Sequence, residues 1–172
     1  MEVYKYEQIR NVAVLGHGGC GKTTLVEAMA YVTGAISRLG KVDDGTTISD
    51  YDKEENKRLF SIGTSVVPVI WENVKINVLD TPGYFDFAGE VEEALDVADA
   101  AVIVVSAKAG IEVGTMKAWD ACEKKKLPRM FFVTDMDDDN ASFRQVVEDL
   151  QACKAEWIFR FQCFRLQRYT WC

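Results

Sequence analysis

The chain has 172 residues, of which 48% are hydrophobic and 27% are charged, which suits one globular domain with a sizeable core. Its formal net charge of -7 opposes non-specific binding to nucleic acid, because the overall field would repel a phosphate backbone. No apolar run approaches the roughly 20 residues that span a bilayer, and residues 1–10 lack the basic and then apolar layout of a signal peptide.

Cysteine usage and the missing membrane signals together point to a compartment. The five cysteines are an odd number without a repeated spacing, which fits neither a zinc site nor a disulfide framework. We therefore predict a cytoplasmic protein with reduced thiols, with no direct DNA binding and no membrane association.

Strand-like and helix-like patterns alternate along the first 150 residues, which predicts an α/β fold with a mainly parallel, doubly wound sheet. Residues 72 and 73 separate two strands closely enough to predict a hairpin. The polar stretch 41–56 holds too little apolar surface to order itself, so we predict a mobile connection there. The predicted strands cover 11–15, 65–71, 74–79, 101–107 and 129–134, and the predicted helices cover 21–32, 90–98, 114–126 and 142–150.

The last 22 residues differ in composition from the rest of the chain. Residues 151–172 carry three of the five cysteines, two of the four tryptophans, and four basic residues against one acidic residue. We predict one domain over residues 1–150, followed by an atypical aromatic and basic tail. An amphipathic helix that packs on the core and a frameshifted or replaced end both remain open for this tail.

A glycine-rich segment lies between the first predicted strand and the first predicted helix. It matches the pattern of Gly, four residues, then Gly-Lys-Thr that cradles phosphates in P-loop proteins of three-layer α/β/α architecture. Backbone N–H groups would form the anion nest, Lys22 would reach the β and γ phosphates, and the Thr23 hydroxyl would ligate Mg²⁺. The residues assigned to this loop are Gly16, His17, Gly18, Gly19, Cys20, Gly21, Lys22, Thr23 and Thr24.

A second motif, Asp-Thr-Pro-Gly, follows the strand 74–79 directly. The carboxylate of Asp80 would emerge beside the phosphate loop, where it could hold Mg²⁺ directly or through water. Gly83 would offer its backbone N–H to a γ-phosphate. A loop that responds to the presence of that phosphate is a switch.

Residues 9–150 resemble the GTPase domain of translational GTPases, especially elongation factor G and the tetracycline-resistance ribosomal protection proteins. The resemblance is carried by the Gly-Lys-Thr-Thr loop, by 58–62 followed by Trp71, by Asp-Thr-Pro-Gly followed by 86–91, and by Met136-Asp137 with Asn140-Ala141. It implies a P-loop NTPase fold, binding of GTP or GDP with Mg²⁺, docking on the ribosome, and hydrolysis of GTP coupled to a conformational change. The catalytic roles would fall to Lys22, Ser61, Gly83 and Tyr84.

Two switch-loop positions depart from the family pattern. Ser61 stands where the family has threonine, and it keeps a hydroxyl that can ligate Mg²⁺. Tyr84 stands where the family has histidine after Asp-Thr-Pro-Gly. A phenol can orient a water molecule but is a poor proton acceptor at neutral pH, so hydrolysis is predicted to be slow or arranged differently.

The base-binding motif also departs from the family's Asn-Lys-Met-Asp. This chain has Thr134, Asp135, Met136 and Asp137. By resemblance, Asp137 would accept two hydrogen bonds from guanine, while the lysine stem that covers the ring is missing. Gly19 stands where the family usually has aspartate, and we assign this change no function. The resemblance also implies a closing part of the domain after residue 150. Residues 151–172 do not match it, so we predict that the domain over 1–150 lacks this part.

Two other functions compete with that of a GTP-hydrolysing domain. Residues 18–24 also resemble the glycine loop of partitioning-type ATPases, although His17 stands where that family expects a second lysine. A nucleotide-binding module with little turnover is the other alternative, because of Tyr84, Asp135 and the unusual tail.

Overall fold

A computed structural model describes residues 3–154 of the chain, which form a sheet with helices on both faces. The elements are β1 (Ile9–Gly16), α1 (Lys22–Val32), α2 (Lys53–Arg58), β2 (Ser65–Trp71), β3 (Val74–Asp80), α3 (Ala88–Val97), β4 (Ala100–Ser106), α4 (Val113–Lys124), β5 (Arg129–Thr134) and α5 (Phe143–Lys154), with short 3₁₀ helices at Tyr6–Gln8 and Phe85–Phe87. The predicted strands and helices are confirmed with shifts of a few residues at their ends.

The sheet has the order β2-β3-β1-β4-β5, and only the pair β2–β3 is antiparallel. The predicted α/β class with a mainly parallel sheet is therefore confirmed. In the central strand β1, Ala13, Val14 and Leu15 are at most 1% exposed, because both faces of a parallel sheet are covered. Glu72 and Asn73 join β2 to β3 with φ angles of 47° and 67°, the left-handed conformation that two-residue hairpin turns require.

Alternate side chains of the strands enter two separate cores. On one face Leu15 and Ile103 pack with Leu95 of α3 and Trp119 of α4. On the other face Val14 and Val104 pack with Val26 of α1. A smaller cluster packs α5 on β4, through Val105, Val146 and Leu150. These contacts hold the strand ends in fixed relative positions.

The four parallel strands end at the same edge of the sheet. Val14 of β1 pairs with Asp80, Gly16 pairs with Val104, and Ser106 pairs with Thr134. The loops that follow β1, β3, β4 and β5 therefore meet at this edge, where ligand sites of such sheets lie.

The connection between α1 and β2 has more structure than we predicted. Buried carboxylates accept hydrogen bonds from its backbone: Glu27 from Gly40 N and Ile48 N, each at 2.8 Å, and Glu55 from Ile62 N at 2.9 Å. We predicted a mobile connection over 41–56 because of its small apolar surface, whereas polar groups hold its backbone in the structure. Helix α2 begins within this stretch, capped by Asp52.

Helix α5 continues to Lys154, four residues beyond the predicted end of the domain. The two alternatives for the rest of the tail concern residues 155–172, which lie outside the described residues. Over residues 3–154, no helix has the length and apolar character that crossing a membrane requires.

Candidate functional site

The glycine loop connects β1 to α1 with the backbone conformation that its glycines permit. Gly16 has φ 142°, and a β-carbon there would lie 2.5 Å from the carbonyl oxygen of Val104 on the neighbouring strand. Gly21 precedes α1 in a left-handed conformation with φ 87°. A side chain at Gly16 would push β1 away from β4, so the tight turn needs glycine at this position.

Lys22 is buried in the first turn of α1, with 6% of its surface exposed. Its ammonium group donates hydrogen bonds to the carbonyl oxygens of His17 at 2.8 Å and Gly16 at 3.2 Å. The cation therefore lies inside the glycine loop, where a bound phosphate would meet it. Thr24, two residues after Lys22, is exposed.

Asp80, Thr23 and Ser61, the three predicted metal ligands, come from β3, α1 and the segment before β2. The hydroxyl oxygens of Thr23 and Ser61 are 3.1 Å apart. The Asp80 carboxylate is 1% exposed, and neither of its oxygens has a hydrogen-bond partner. Burial raises the pKa of Asp80 to about 6, although the nearby hydroxyls of Ser49 and Thr23 oppose the shift without completing hydrogen bonds.

These donors fit a Mg²⁺ ion. Mg²⁺ binds oxygen atoms at about 2.0–2.1 Å in octahedral geometry, so neighbouring ligand oxygens are about 3 Å apart, as the two hydroxyl oxygens are here. A buried carboxylate without a partner is the charge that such a cation would compensate. No cluster of three or more His, Cys, Asp and Glu side chains occurs in the described part of the chain, so the candidate site combines a carboxylate with hydroxyl groups.

Asp50 and Ser49 extend this group, and sequence reasoning missed both. Asp50 is 4% exposed and accepts a hydrogen bond of 2.7 Å from the Ser61 hydroxyl. Burial raises the pKa of Asp50, against the effect of this hydrogen bond and with a further contribution from Glu55. Both residues lie in a polar stretch without periodicity, so no sequence pattern distinguishes them from solvated side chains.

Gly83 and Tyr84 both contact the glycine loop. A β-carbon at Gly83 would lie 2.7 Å from the backbone nitrogen of Gly18 and would also clash with the Lys22 ammonium group. The Tyr84 ring lies over Gly18, where a β-carbon would come within 3.1 Å of it. The ring also packs on Phe60 with centroids 4.7 Å apart. Tyr84 thus connects the segment before β2 with the phosphate loop.

The predicted base-binding residues follow β5. Thr134 donates a hydrogen bond of 2.8 Å to the carbonyl oxygen of Cys20, which ties the end of β5 to the glycine loop. Asp135, with φ 54°, and Asp137 are exposed and line a cleft of about 600 Å³ together with Gly18 and Gly19. The structure therefore brings two residues of the glycine loop and two of the predicted base-binding residues to one cleft.

His17, Cys20 and Gly19 are the remaining residues of the glycine loop, and each has a different environment. His17 lies 3.4 Å from a carboxylate oxygen of Glu112 and packs edge-on against Phe85. Cys20 is buried, and burial raises the pKa of its thiol, so it is not a reactive thiolate. Gly19 is exposed, and no atom lies within 4 Å of where its β-carbon would be, so the structure gives no steric reason for glycine there.

Comparisons with known proteins agree with this arrangement. A family model described as elongation factor Tu GTP binding domain matches residues 7–161. The chain is 42% identical over 144 residues to a mitochondrial ribosome-releasing factor 2 of Drosophila willistoni and 40% identical over 144 residues to that of Rattus norvegicus. Each match covers 84% of this chain, and this chain spans about a fifth of the length of these relatives, 19% and 18% respectively.

Two solved structures are similar to the chain. A protein of Thermus thermophilus has a TM-score of 0.81 and 45% identity over 85% of this chain and 22% of its own. Elongation factor SelB of Methanococcus maripaludis has a TM-score of 0.63 and 22% identity over 90% of this chain and 27% of its own, which is evidence for the fold alone. These matches favour a translational GTPase domain over a partitioning-type ATPase.

Proposed function

The chain belongs to the family of elongation factor Tu GTP-binding domains, and from that premise we propose that it binds GTP and hydrolyses it to GDP and phosphate within an elongation factor G-like translation factor. One observation supports this most. The glycine loop with its buried Lys22 lies beside an unpartnered Asp80 carboxylate and two hydroxyl oxygens that are 3.1 Å apart.

Positive charge and backbone N–H groups would both contribute to binding the triphosphate. The N–H groups of the glycine loop and the start of α1 favour an anion, and the Lys22 ammonium group adds a full positive charge. Mg²⁺, held by Thr23, Ser61 and Asp80, would neutralise charge on the phosphate oxygens when bound. Asp50 would orient the Ser61 hydroxyl, since it accepts that hydroxyl's hydrogen at 2.7 Å.

Catalysis in this site would consist mainly of positioning and charge stabilisation. Gly83 lies against Gly18 of the glycine loop, and its backbone N–H would donate to a terminal phosphate. The Tyr84 ring covers Gly18 and would orient the attacking water through its hydroxyl. Asp137 would accept hydrogen bonds from the guanine base, while Thr134 fixes the base loop to the phosphate loop through Cys20 O.

The partner and the compartment of the full protein are also proposed from these observations. The ribosome is the partner we propose, because the curated relatives are named ribosome-releasing factors. We keep the cytoplasm as the proposed compartment from cysteine usage, although those relatives are named mitochondrial factors, and imaging of the tagged protein would decide between the two.

Equilibrium binding of fluorescent GDP, GTP and ADP to the 172-residue chain with Mg²⁺ tests the proposal directly. We expect guanine-selective binding that the substitution Lys22→Ala abolishes, because this change removes the cation inside the glycine loop. Unchanged triphosphate affinity of Lys22→Ala in titration calorimetry would refute the phosphate site. Preference for ADP over GDP would instead support the partitioning-type ATPase.

The substitution Tyr84→His separates an efficient GTPase from a binding module with little turnover. We predict a higher single-turnover rate of GTP hydrolysis with ribosomes present, because imidazole accepts a proton at neutral pH and contributes about 10²–10⁴-fold in acid–base catalysis. Tyr84→Phe is the control, since it keeps the ring over Gly18 and removes the hydroxyl. An unchanged rate in Tyr84→His would mean that the tyrosine does not limit hydrolysis.

A further inference from the structure

The proposed base loop carries an excess of negative charge. Asp135, Asp137, Asp138 and Asp139 place four carboxylates within five residues directly after β5. A guanine base needs Asp137 as a hydrogen-bond acceptor and an apolar cover for its ring, and the segment 135–139 contains no cation to balance its four carboxylates. By resemblance, lysine would stand where this chain has Asp135, so the cleft needs a cation from another segment.

Lys108 is such a cation, and it lies in the loop after β4. Two backbone hydrogen bonds join this loop to the base loop and to the start of α5: Ala107 N donates to Thr134 O at 3.0 Å, and Ser142 N to Ala107 O at 3.5 Å. The Lys108 ammonium group is 2.9 Å from a carboxylate oxygen of Asp138. This contact raises the pKa of Lys108. The pKa of Asp138 falls, first through the N–H of Asn140 and then through Lys108.

Lys108 is also the only basic side chain among the described residues that line the 600 Å³ cleft. Other cations near the sheet are engaged elsewhere: Lys117 lies over the Phe85 ring and Arg129 over the Trp119 ring, each at 3.9 Å. The Lys108 side chain is 59% exposed, so its aliphatic part is free to lie along the cleft while the ammonium group stays at the acidic loop.

We propose that Lys108 is a specificity-determining residue for the guanine base, supplying from the β4–α4 loop the positive charge and the aliphatic cover that the lysine of the family's base motif would supply from position 135. The inference rests on the proposed function, because it needs a guanine nucleotide in this cleft. Lys108 would contact the base directly, in addition to its ion pair with Asp138.

Fluorescent GDP binding to four variants tests this role. We expect Lys108→Met to weaken binding about tenfold, as loss of a charged contact in a binding site does. Adding Asp135→Lys to Lys108→Met restores most of the affinity, because it puts the lysine back at the family position. Asp138→Asn cuts the ion pair but keeps Lys108 and the acceptor for Asn140, so its affinity stays within about twofold of the unsubstituted chain, as for exposed ion pairs.

Lys124→Met is the matched control, an exposed lysine of α4 outside the cleft, and thermal melting shows whether each variant is folded. Asp135 has a left-handed φ of 54°, so the melt also measures the backbone cost of lysine there. Unchanged affinity of folded Lys108→Met overturns the inference and leaves the proposed function standing. Equal losses in Lys108→Met and Asp138→Asn, or no rescue by Asp135→Lys, overturn it as well. Absence of GDP binding by the unsubstituted chain refutes the proposed function itself.

Discussion

Asp80 ends β3 with a carboxylate that burial and the proposed chemistry affect in opposite ways. Its pKa is raised to about 6 from 3.8, so without metal the folded chain keeps this group protonated up to a higher pH than the unfolded chain does. Between pH 4 and pH 6 the folded state binds more protons here than the unfolded state does. The contribution of this group to stability therefore falls as the pH rises through that window, and ionised Asp80 is destabilising at neutral pH.

The substitution Asp80→Asn removes this penalty. In EDTA we expect it to raise the free energy of unfolding by about 2 to 3 kcal/mol at pH 7, from about two pKa units at 1.36 kcal/mol each, and to leave it nearly unchanged at pH 4. Denaturant unfolding at the two pH values measures the difference. Mg²⁺ should stabilise the unsubstituted chain at pH 7 and the variant much less. An equal gain at both pH values would show that the carboxylate's charge is not the cause.

Gly83 has no room for a side chain between its loop and the phosphate loop. We predict that Gly83→Ala lowers the rate of GTP hydrolysis about ten- to a hundredfold, because the added methyl group displaces the loop from Gly18 and misplaces groups around the terminal phosphate. Affinity for GDP, which lacks that phosphate, should change less. Gly89→Ala in the first turn of α3 is the control, since no atom lies within 4 Å of its added β-carbon. Equal rates in the two variants would contradict the close approach.

At the level of elements, α2 and the segment after it depend on one buried side chain. Glu55 accepts hydrogen bonds from Ile62 N at 2.9 Å and Gly63 N at 3.1 Å, and its other carboxylate oxygen accepts from Asp52 N at 3.2 Å. These contacts fix the backbone directly after Ser61 to the start of α2. The orientation of a proposed metal ligand is therefore set by a residue six positions before it.

We predict that Glu55→Ala loosens this segment, with a cost of about 1–3 kcal/mol for the backbone donors left without partners. Amide hydrogen exchange at Ile62 and Gly63 should become faster, while exchange in β1 stays the same. Glu54→Ala is the matched control on the same helix, because its exposed ion pair with Arg58 contributes little. Unaltered exchange at Ile62 in folded Glu55→Ala would refute this role.

The difference between α2 and β5 shows what sequence patterns can reveal. The run 129–134 predicted β5 to the residue, because its aromatic and β-branched side chains favour a strand even at the edge of the sheet. Stretch 41–56 gave no such signal, since its backbone is held by side-chain carboxylates: Glu27 accepts from Ile48 N, 21 residues away, and Glu55 accepts from Asp52 N. Hydrogen bonds of this kind produce no periodic pattern in the sequence.

For the whole molecule, sequence reasoning identified the strands and the edge at which the site residues meet. The motifs at Gly16–Lys22 and Asp80–Gly83 are local, and the sheet topology brings them together as parallel pairing predicts. Asp50 and Lys108 could not be assigned in this way. Their positions depend on how loops fold across the edge, which neither spacing nor composition specifies.

The sheet edge is built from distant parts of the chain, and this sets an order of assembly. Every strand pair except the β2–β3 hairpin joins strands that are separated in the chain by a crossover connection. Pairing between such distant segments makes these sheets slow to form. Synthesis at about 5–20 residues per second delays Thr134 by roughly 6 to 20 seconds after Lys22. A nascent chain would therefore carry its phosphate loop for that time before the proposed base loop exists, so high-affinity nucleotide capture belongs to the last stage of folding.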